Sequence, residues 1–176
     1  MEIKRDLLLK RLIDLRHNGM IKVVTSMRRC GKSYLLFNLF TDALKAKGVD
    51  EENIVQINLE DRRNKSLRDP DKLLAYIDSR LKDNKMYYIL LDEVQLVNEF
   101  EDVLNSYLQV KNADVYVTGS NARFLSKDVI TEFRGRGLEI RVHPLSFSEI
   151  RGARPDEPIE QLWIEYITYG GLPQVI

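Results

Sequence analysis

Two groups of residues in this sequence have the types and spacing of a site for phosphate chemistry. The first is the run TSMRRCGKSY, residues 25–34, in which Gly31, Lys32 and Ser33 lie between an apolar run and a helical pattern. Backbone N–H groups at such a turn can bind a polyphosphate, with the lysine on the β- and γ-phosphates and the serine hydroxyl on Mg²⁺. The alternative interpretation is a basic turn that only caps a helix.

The first position of this loop departs from the consensus G-x-x-x-x-G-K-[ST], because Ser26 occupies the place of the first glycine. Glycine there permits an unusual backbone angle, so the serine raises a question of loop geometry without removing a phosphate-contacting side chain. Arg28 and Arg29 suit either the nucleotide or a partner, and Cys30 is either a modifiable thiol beside the phosphates or a small residue filling a tight turn. The residues predicted to bind nucleotide are Ser26, Arg28, Arg29, Cys30, Gly31, Lys32, Ser33 and Tyr34.

The second group is an acidic pair, Asp92 and Glu93, at the end of the apolar run YYILLDE about 60 residues after the loop. A carboxylate at this point is placed to hold magnesium through water, which makes Asp92 and Ser33 the predicted metal residues. Glu93 is the predicted general base for an attacking water. An Asp-Glu pair can also simply cap the following helix.

Polar residues at two further strand ends are candidates for sensing the nucleotide. In VTGSN, the candidates are Thr118, Ser120 and Asn121, and we favour Ser120 or Asn121 as the group between the water and the γ-phosphate. A tight turn is the other interpretation. Asn58 is a weaker candidate for a residue that holds Glu93 inactive until a partner binds.

The run FRGRG places Arg134 and Arg136 between glycines. Guanidinium groups fixed in this way suit stabilisation of phosphoryl charge, in the same chain or in a neighbouring one. A solvated loop is the alternative.

Strand-like and helical patterns alternate at intervals of roughly 30 residues, which is typical of crossover units in a parallel sheet. The chain is therefore expected to have an α/β fold with a mostly parallel five-stranded sheet and helices on both faces. The site should lie at the carboxyl ends of the strands. From about residue 146 the pattern is helical. The predicted strands are residues 21–25, 53–59, 87–93, 114–120 and 138–145.

Composition narrows the class of protein. The 176 residues include 27 basic and 27 acidic side chains, so no net positive charge favours nucleic acid, although Arg62, Arg63, Lys65 and Arg68 form a local basic run. One cysteine excludes an internal disulfide, and two histidines make a histidine metal site improbable. Without a long apolar run or a signal peptide, the protein is expected to be cytoplasmic and without a membrane partner.

Taken together, these motifs resemble the prokaryotic AAA-type ATP-binding proteins of the P-loop superfamily. The similarity is carried by RRCGKS, LDEVQ, VTGSN, FRGRG and PLSF and covers nearly the whole chain. It implies an additional-strand P-loop sandwich, binding of ATP and Mg²⁺, and ATP hydrolysis. It places Lys32 and Ser33 on the nucleotide and magnesium residues of the loop and Asp92 and Glu93 on the acidic pair.

In that family the ATPase domain is followed by a C-terminal domain of poorly defined function. We therefore expect an ATPase domain at residues 1–145 and a helical extension at residues 146–176 that leads to a domain absent from this chain. The favoured function is Mg-dependent ATP hydrolysis that drives a conformational change in an attached domain or a protein partner. The alternatives are a binding module with little turnover, possibly DNA-associated, and a kinase-like protein. Arginines supplied in trans would imply a homo-oligomer.

Overall fold

The computed structural model describes residues 3–119, 133 and 135–173. Its centre is a single sheet in which each recorded strand pairing is parallel. The strand order is β2-β3-β4-β1-β5, so β1 lies between β4 and β5. The predicted five-stranded parallel sheet is confirmed. The strands are β1 (Ile21–Thr25), β2 (Ile54–Asn58), β3 (Tyr87–Asp92), β4 (Ala113–Gly119) and β5 (Gly137–Arg141).

Helices cover both faces of this sheet. Helices α4 and α5 pack against one face, onto side chains such as Val23 and Ile89, whereas α1 and the helix after β1 pack against the other, onto side chains such as Val24 and Leu90. Because successive side chains of a strand point to opposite faces, strands buried on both faces are mostly apolar, and buried charges such as Lys22 of β1 and Asp114 of β4 are paired with each other. The helices are α1 (Asp6–Asp14), α2 (Lys32–Tyr34), α3 (Thr41–Ala46), α4 (Pro70–Arg80), α5 (Phe100–Tyr107), α6 (Phe147–Ala153) and α7 (Ile159–Tyr169).

The helix that follows the phosphate-type loop is continuous from α2 to α3, with a π-helical segment, Leu35–Phe40, between them. Short 3₁₀ turns occupy Glu51–Asn53, Arg62–Arg68 and Val94–Leu96. The start of α4 follows the sequence signals, since the Asp69 carboxylate accepts the Lys72 N–H and Pro70 is the first helical residue. Helix α6 begins with a capping box between Ser146 and Glu149.

Three strands are shorter than the sequence patterns predict: β2 by one residue at each end, and β3 and β5 at their carboxyl ends, where each has a local cause. Strand β3 ends at Asp92 because Glu93 adopts a left-handed conformation with φ of 55°. Strand β5 ends at Arg141, although the Val142 N–H still donates to the Thr25 carbonyl at 2.8 Å. Pro144 follows closely and has no N–H with which to extend a ladder.

The aromatic side chains of the C-terminal helices α6 and α7 are less buried than their number predicts. Trp163, Tyr166 and Tyr169 recur at helical spacing, a pattern that more often marks core residues, but Trp163 is 49% exposed and Tyr169 63% exposed. Helix α7 buries mainly Leu162, while Trp163 and Tyr166 pack around Phe147 of α6. No helix in the described part of the chain combines the length and apolar content needed to cross a membrane.

Candidate functional site

The loop after β1 turns sharply through two left-handed residues, Arg29 with φ of 67° and Gly31 with φ of 84°. Glycine suits the second position, because a side chain is strained at this angle. Ser26 is not among the residues with positive φ. The Ser26 backbone therefore does not adopt the left-handed angle that favours glycine.

Ser26 instead contacts the lysine of the loop. Lys32 is 5% exposed, and its Nζ donates to Ser26 Oγ at 3.1 Å. Ser26 Oγ in turn donates to the Met27 carbonyl at 2.6 Å. The serine hydroxyl thus holds the ammonium group back across its own loop, in a position where an incoming phosphate oxygen would compete with it as acceptor.

This contact predicts the effect of removing the hydroxyl. Ser26→Ala should preserve ATP affinity or raise it by up to a factor of about 10, because the hydrogen bond from the ammonium to the hydroxyl, which competes with the phosphate, contributes about 1.5 kcal/mol. Ser26→Gly should behave in the same way if backbone freedom is unimportant. Isothermal titration with ATP measures both variants. A loss of affinity in Ser26→Ala would show that the hydroxyl contributes to binding rather than competing with it.

The other predicted loop residues are divided between solvent and core. Arg28, Arg29, Ser33 and Tyr34 are exposed, so their side chains are accessible to a ligand or partner. Cys30 is fully buried in the apolar cluster between α1 and the sheet. It can offer the nucleotide only its backbone, and the interpretation as an accessible, modifiable thiol is wrong.

The acidic pair is held by a threonine of the neighbouring strand. Thr118 of β4 is fully buried; its hydroxyl donates to Asp92 Oδ1 and accepts the Glu93 N–H at 3.0 Å. Since β4 lies between β3 and β1, this residue is the link between the acidic pair and the strand that carries the loop. Sequence reasoning named Thr118 but favoured Ser120 and Asn121, which lie outside the described residues.

Glu93 has a second recorded contact that the sequence reasoning missed. Gln95 Nε2 donates to Glu93 Oε2 from the short turn Val94–Leu96. Asn58 was the weaker candidate for a residue that holds Glu93 inactive. Its side-chain oxygen instead accepts the N–H groups of Glu60 and Asp61 and so caps the turn after β2. A signal for Gln95 was present, since an amide two residues after an acid at a strand end can fold back on it.

Of the two arginines predicted to stabilise phosphoryl charge, the structure describes Arg136. Arg134 lies outside the described residues. The Arg136 side chain is exposed, and its carbonyl accepts the N–H of Ile21, the first residue of β1, at 2.8 Å. Arg136 therefore lies at the amino edge of the sheet, one full strand length, roughly 13 Å, away from the loop. The structure does not bring it to the phosphate site of its own chain.

The residues expected to hold magnesium fit the chemistry of that ion. Mg²⁺ prefers oxygen ligands, keeps several waters, and binds few protein groups when phosphates supply the rest. Ser33 presents an exposed hydroxyl, and Asp92 a carboxylate at the end of β3. Among the described residues, no three acidic, histidine or cysteine side chains form a group that could hold a metal ion.

A cleft of about 670 Å³ lies between the start of α1, the chain after β5 and helix α6. Its lining residue Arg5 is buried and donates to the carbonyls of Cys30 and His143 at 3.1 and 2.8 Å and to Glu149 Oε1 at 3.1 Å. One guanidinium thus joins the loop, the chain beyond β5 and helix α6. The cleft is lined by residues 4–8, 141, 143, 144, 146, 148, 149, 152 and 153.

Other clusters of charge are explained locally. In the basic run, Arg63 pairs with Asp61, and Arg68 donates to the carbonyls of Leu59 and Glu60. At the amino edge of the sheet, fully buried Lys22 pairs with Asp114, and burial holds the pKa of this lysine below its ordinary value although the carboxylate opposes the shift. Neither cluster adds a group to the site at the carboxyl ends.

Two known proteins are similar in sequence to most of this chain. The chain is 34% identical over 179 residues to an uncharacterized protein of Haemophilus influenzae, covering 99% of this chain and 44% of that protein. It is 30% identical over 168 residues to an uncharacterized protein of Methanocaldococcus jannaschii, covering 88% of this chain and 36% of that protein. The chain thus spans less than half the length of these relatives.

The fold is shared with a protein of known structure. The structure of the Aeropyrum pernix ORC1 protein in complex with DNA aligns with a TM-score of 0.58 at 14% identity, covering 94% of this chain and 50% of that one. The family described as AAA domain matches residues 18–151, which include the loop, the acidic pair and all five strands. The chain therefore belongs to the AAA domain family of P-loop ATPases.

Proposed function

We propose that this domain binds ATP with Mg²⁺ and hydrolyses it to ADP and phosphate. The observation that carries the proposal is the bridge made by Thr118, which ties Asp92 and Glu93, at the carboxyl end of β3, to β4, the neighbour of the strand that leads into the loop of Lys32. A site that only bound nucleotide would need the loop and Asp92. A retained, oriented glutamate adds a group whose chemistry is proton transfer.

The proposed mechanism assigns one task to each group. Backbone N–H groups of the loop and the Lys32 ammonium bind the β- and γ-phosphates, as the helix start favours negative charge. Ser33 and Asp92 would hold Mg²⁺, which supplies charge neutralisation on the phosphate oxygens when bound. Glu93 accepts a proton from water as the water oxygen attacks the γ-phosphorus and the bond to the ADP oxygen breaks.

We propose that the cleft between α1 and α6, whose lining residue Arg5 contacts the loop through the Cys30 carbonyl, takes the nucleoside part of ATP. Its volume of about 670 Å³ lies in the range of small-molecule sites, and its position places a bound base next to α6. Because Arg5 joins the Cys30 carbonyl to Glu149 of α6, a change in the loop on hydrolysis would be transmitted to the helical extension. We propose this path as the source of the conformational change in an attached domain or partner.

The test of this function is Lys32→Ala. Loss of a charge-assisted contact worth about 2–3 kcal/mol should weaken ATP binding roughly 100-fold and remove hydrolysis at micromolar ATP. Lys47→Ala is a matched control, since this exposed lysine lies at the other end of the same helix. Binding is measured by titration and turnover by phosphate release. Wild-type protein that binds ATP without releasing phosphate would favour a binding module, and equal binding by Lys32→Ala would exclude the proposed site.

A further inference from the structure

The side chain of Gln95 has one satisfied and one unsatisfied end. Its Nε2 donates to Glu93 Oε2, whereas its Oε1 is buried and has no hydrogen-bond partner in the described part of the chain. The orientation of the amide follows from chemistry, because a carboxylate only accepts hydrogen bonds and a flipped amide would set oxygen against oxygen. The unpaired atom is therefore an acceptor that points away from Glu93.

A buried acceptor without a donor is destabilising because its hydrogen bonds to water are lost without replacement, so its presence requires an explanation. The turn that carries Gln95 is well fixed: the Leu96 N–H donates to the Glu93 carbonyl at 3.1 Å, and Val94 and Val97 are buried. Glu93 itself is held in a left-handed conformation, a strain of the kind found at functional sites. A rigid turn thus presents an unused acceptor next to the proposed general base.

We propose that Gln95 positions both Glu93 and the water that Glu93 deprotonates, an inference that rests on the proposed hydrolysis. Nε2 fixes the carboxylate through one oxygen, and Oε1 accepts the O–H of the same water that stays intact. The other O–H proton passes to Glu93 while the water oxygen bonds to the γ-phosphorus. Two hydrogen-bond partners on one water direct its lone pair at the phosphorus, which is the contribution expected from orientation.

The first variant is Gln95→Met, which keeps the length of the side chain and removes both the donor and the acceptor. We expect kcat to fall roughly 10- to 100-fold with an unchanged KM, since the substrate does not contact Gln95 before the water is oriented. The melting temperature should stay the same or rise, because an unsatisfied buried oxygen has been removed. A purely structural role predicts the opposite: a lower melting temperature with little change in kcat.

The second variant is Gln95→Glu, which keeps an acceptor oxygen but replaces the donor by a second carboxylate. Two carboxylates in contact disfavour each other's ionised form, so the acidic limb of the pH profile of kcat should move to higher pH. Asp92, the neighbouring acid at the end of β3, is unchanged in the comparison. Gln161→Met, at an exposed position of α7, is the matched control and should resemble the wild type in rate and melting temperature.

The outcomes separate this inference from the proposed function. If the wild type hydrolyses ATP, Glu93→Gln does not, and both Gln95 variants match the wild type in kcat and pH profile, then Gln95 has no positioning role and the proposed function stands. If the wild type shows no hydrolysis at all, the proposed function and this inference both fail. Reduced kcat with a retained melting temperature in Gln95→Met supports the inference.

Discussion

Replacing Glu93 with glutamine should lower the rate of ATP hydrolysis by roughly 10²- to 10⁴-fold, the range attributed to general acid–base catalysis. The new amide keeps the shape of the side chain and can still accept a hydrogen bond from Gln95, but it cannot accept the proton of water. ATP affinity should change by less than about three-fold, because Glu93 lies beyond the groups that bind the phosphates. Single-turnover phosphate release measures the rate, and titration measures the affinity.

Glu99 offers a matched control for this substitution. It is a nearby exposed acid with a left-handed backbone like that of Glu93, with φ of 51°. Glu99→Gln therefore repeats the chemical change and the backbone context outside the site, and it should retain the wild-type rate. Equal hydrolysis by wild type and Glu93→Gln would remove the general base from the mechanism and leave a nucleotide-binding domain without an assigned catalyst.

The sequence was sufficient for the sheet because its signals are local. Buried strands such as β1 and β3 are apolar on both faces, and the loop and acidic pair occur where those strands end. A parallel sheet then brings both motifs to one edge without further information. The same rule places Arg136, which precedes β5, at the opposite edge, although the sequence analysis left open whether it acts in its own chain or in a neighbour.

Side-chain hydrogen bonds between neighbouring strands and within turns could not be predicted from the sequence pattern. The Thr118 bridge depends on the register in which β4 lies against β3, where Leu91 faces Val117 and Asp92 follows. The bond from Lys32 to Ser26 depends on the rotamer of a long side chain across a loop. Periodicity predicts which face of a strand is buried, but it does not specify such hydrogen bonds.

The largest expected effect concerns Arg136 and depends on a second copy of the chain. Its backbone is fixed to the first residue of β1, roughly 13 Å of strand from the loop, so its guanidinium does not reach the phosphates of its own chain. We propose that it acts on the γ-phosphate bound by a neighbouring copy. Arg136→Ala should then lower hydrolysis roughly 10³-fold or more, as loss of an arginine finger does, while ATP binding is retained.

Mixing two inactive variants provides the decisive measurement. The Lys32→Ala chain keeps Arg136 but lacks a working loop. The Arg136→Ala chain keeps a working loop but lacks the arginine. In an equal mixture, half of the loops are intact and half of the neighbours carry the arginine, so activity should recover to about one quarter of the wild-type value. Arg80→Ala is the control, because this arginine ends α4 shortly before β3 and so also lies at the amino edge. Activity proportional to protein concentration, with no recovery on mixing, would show that each chain works alone and that Arg136 is a solvated side chain.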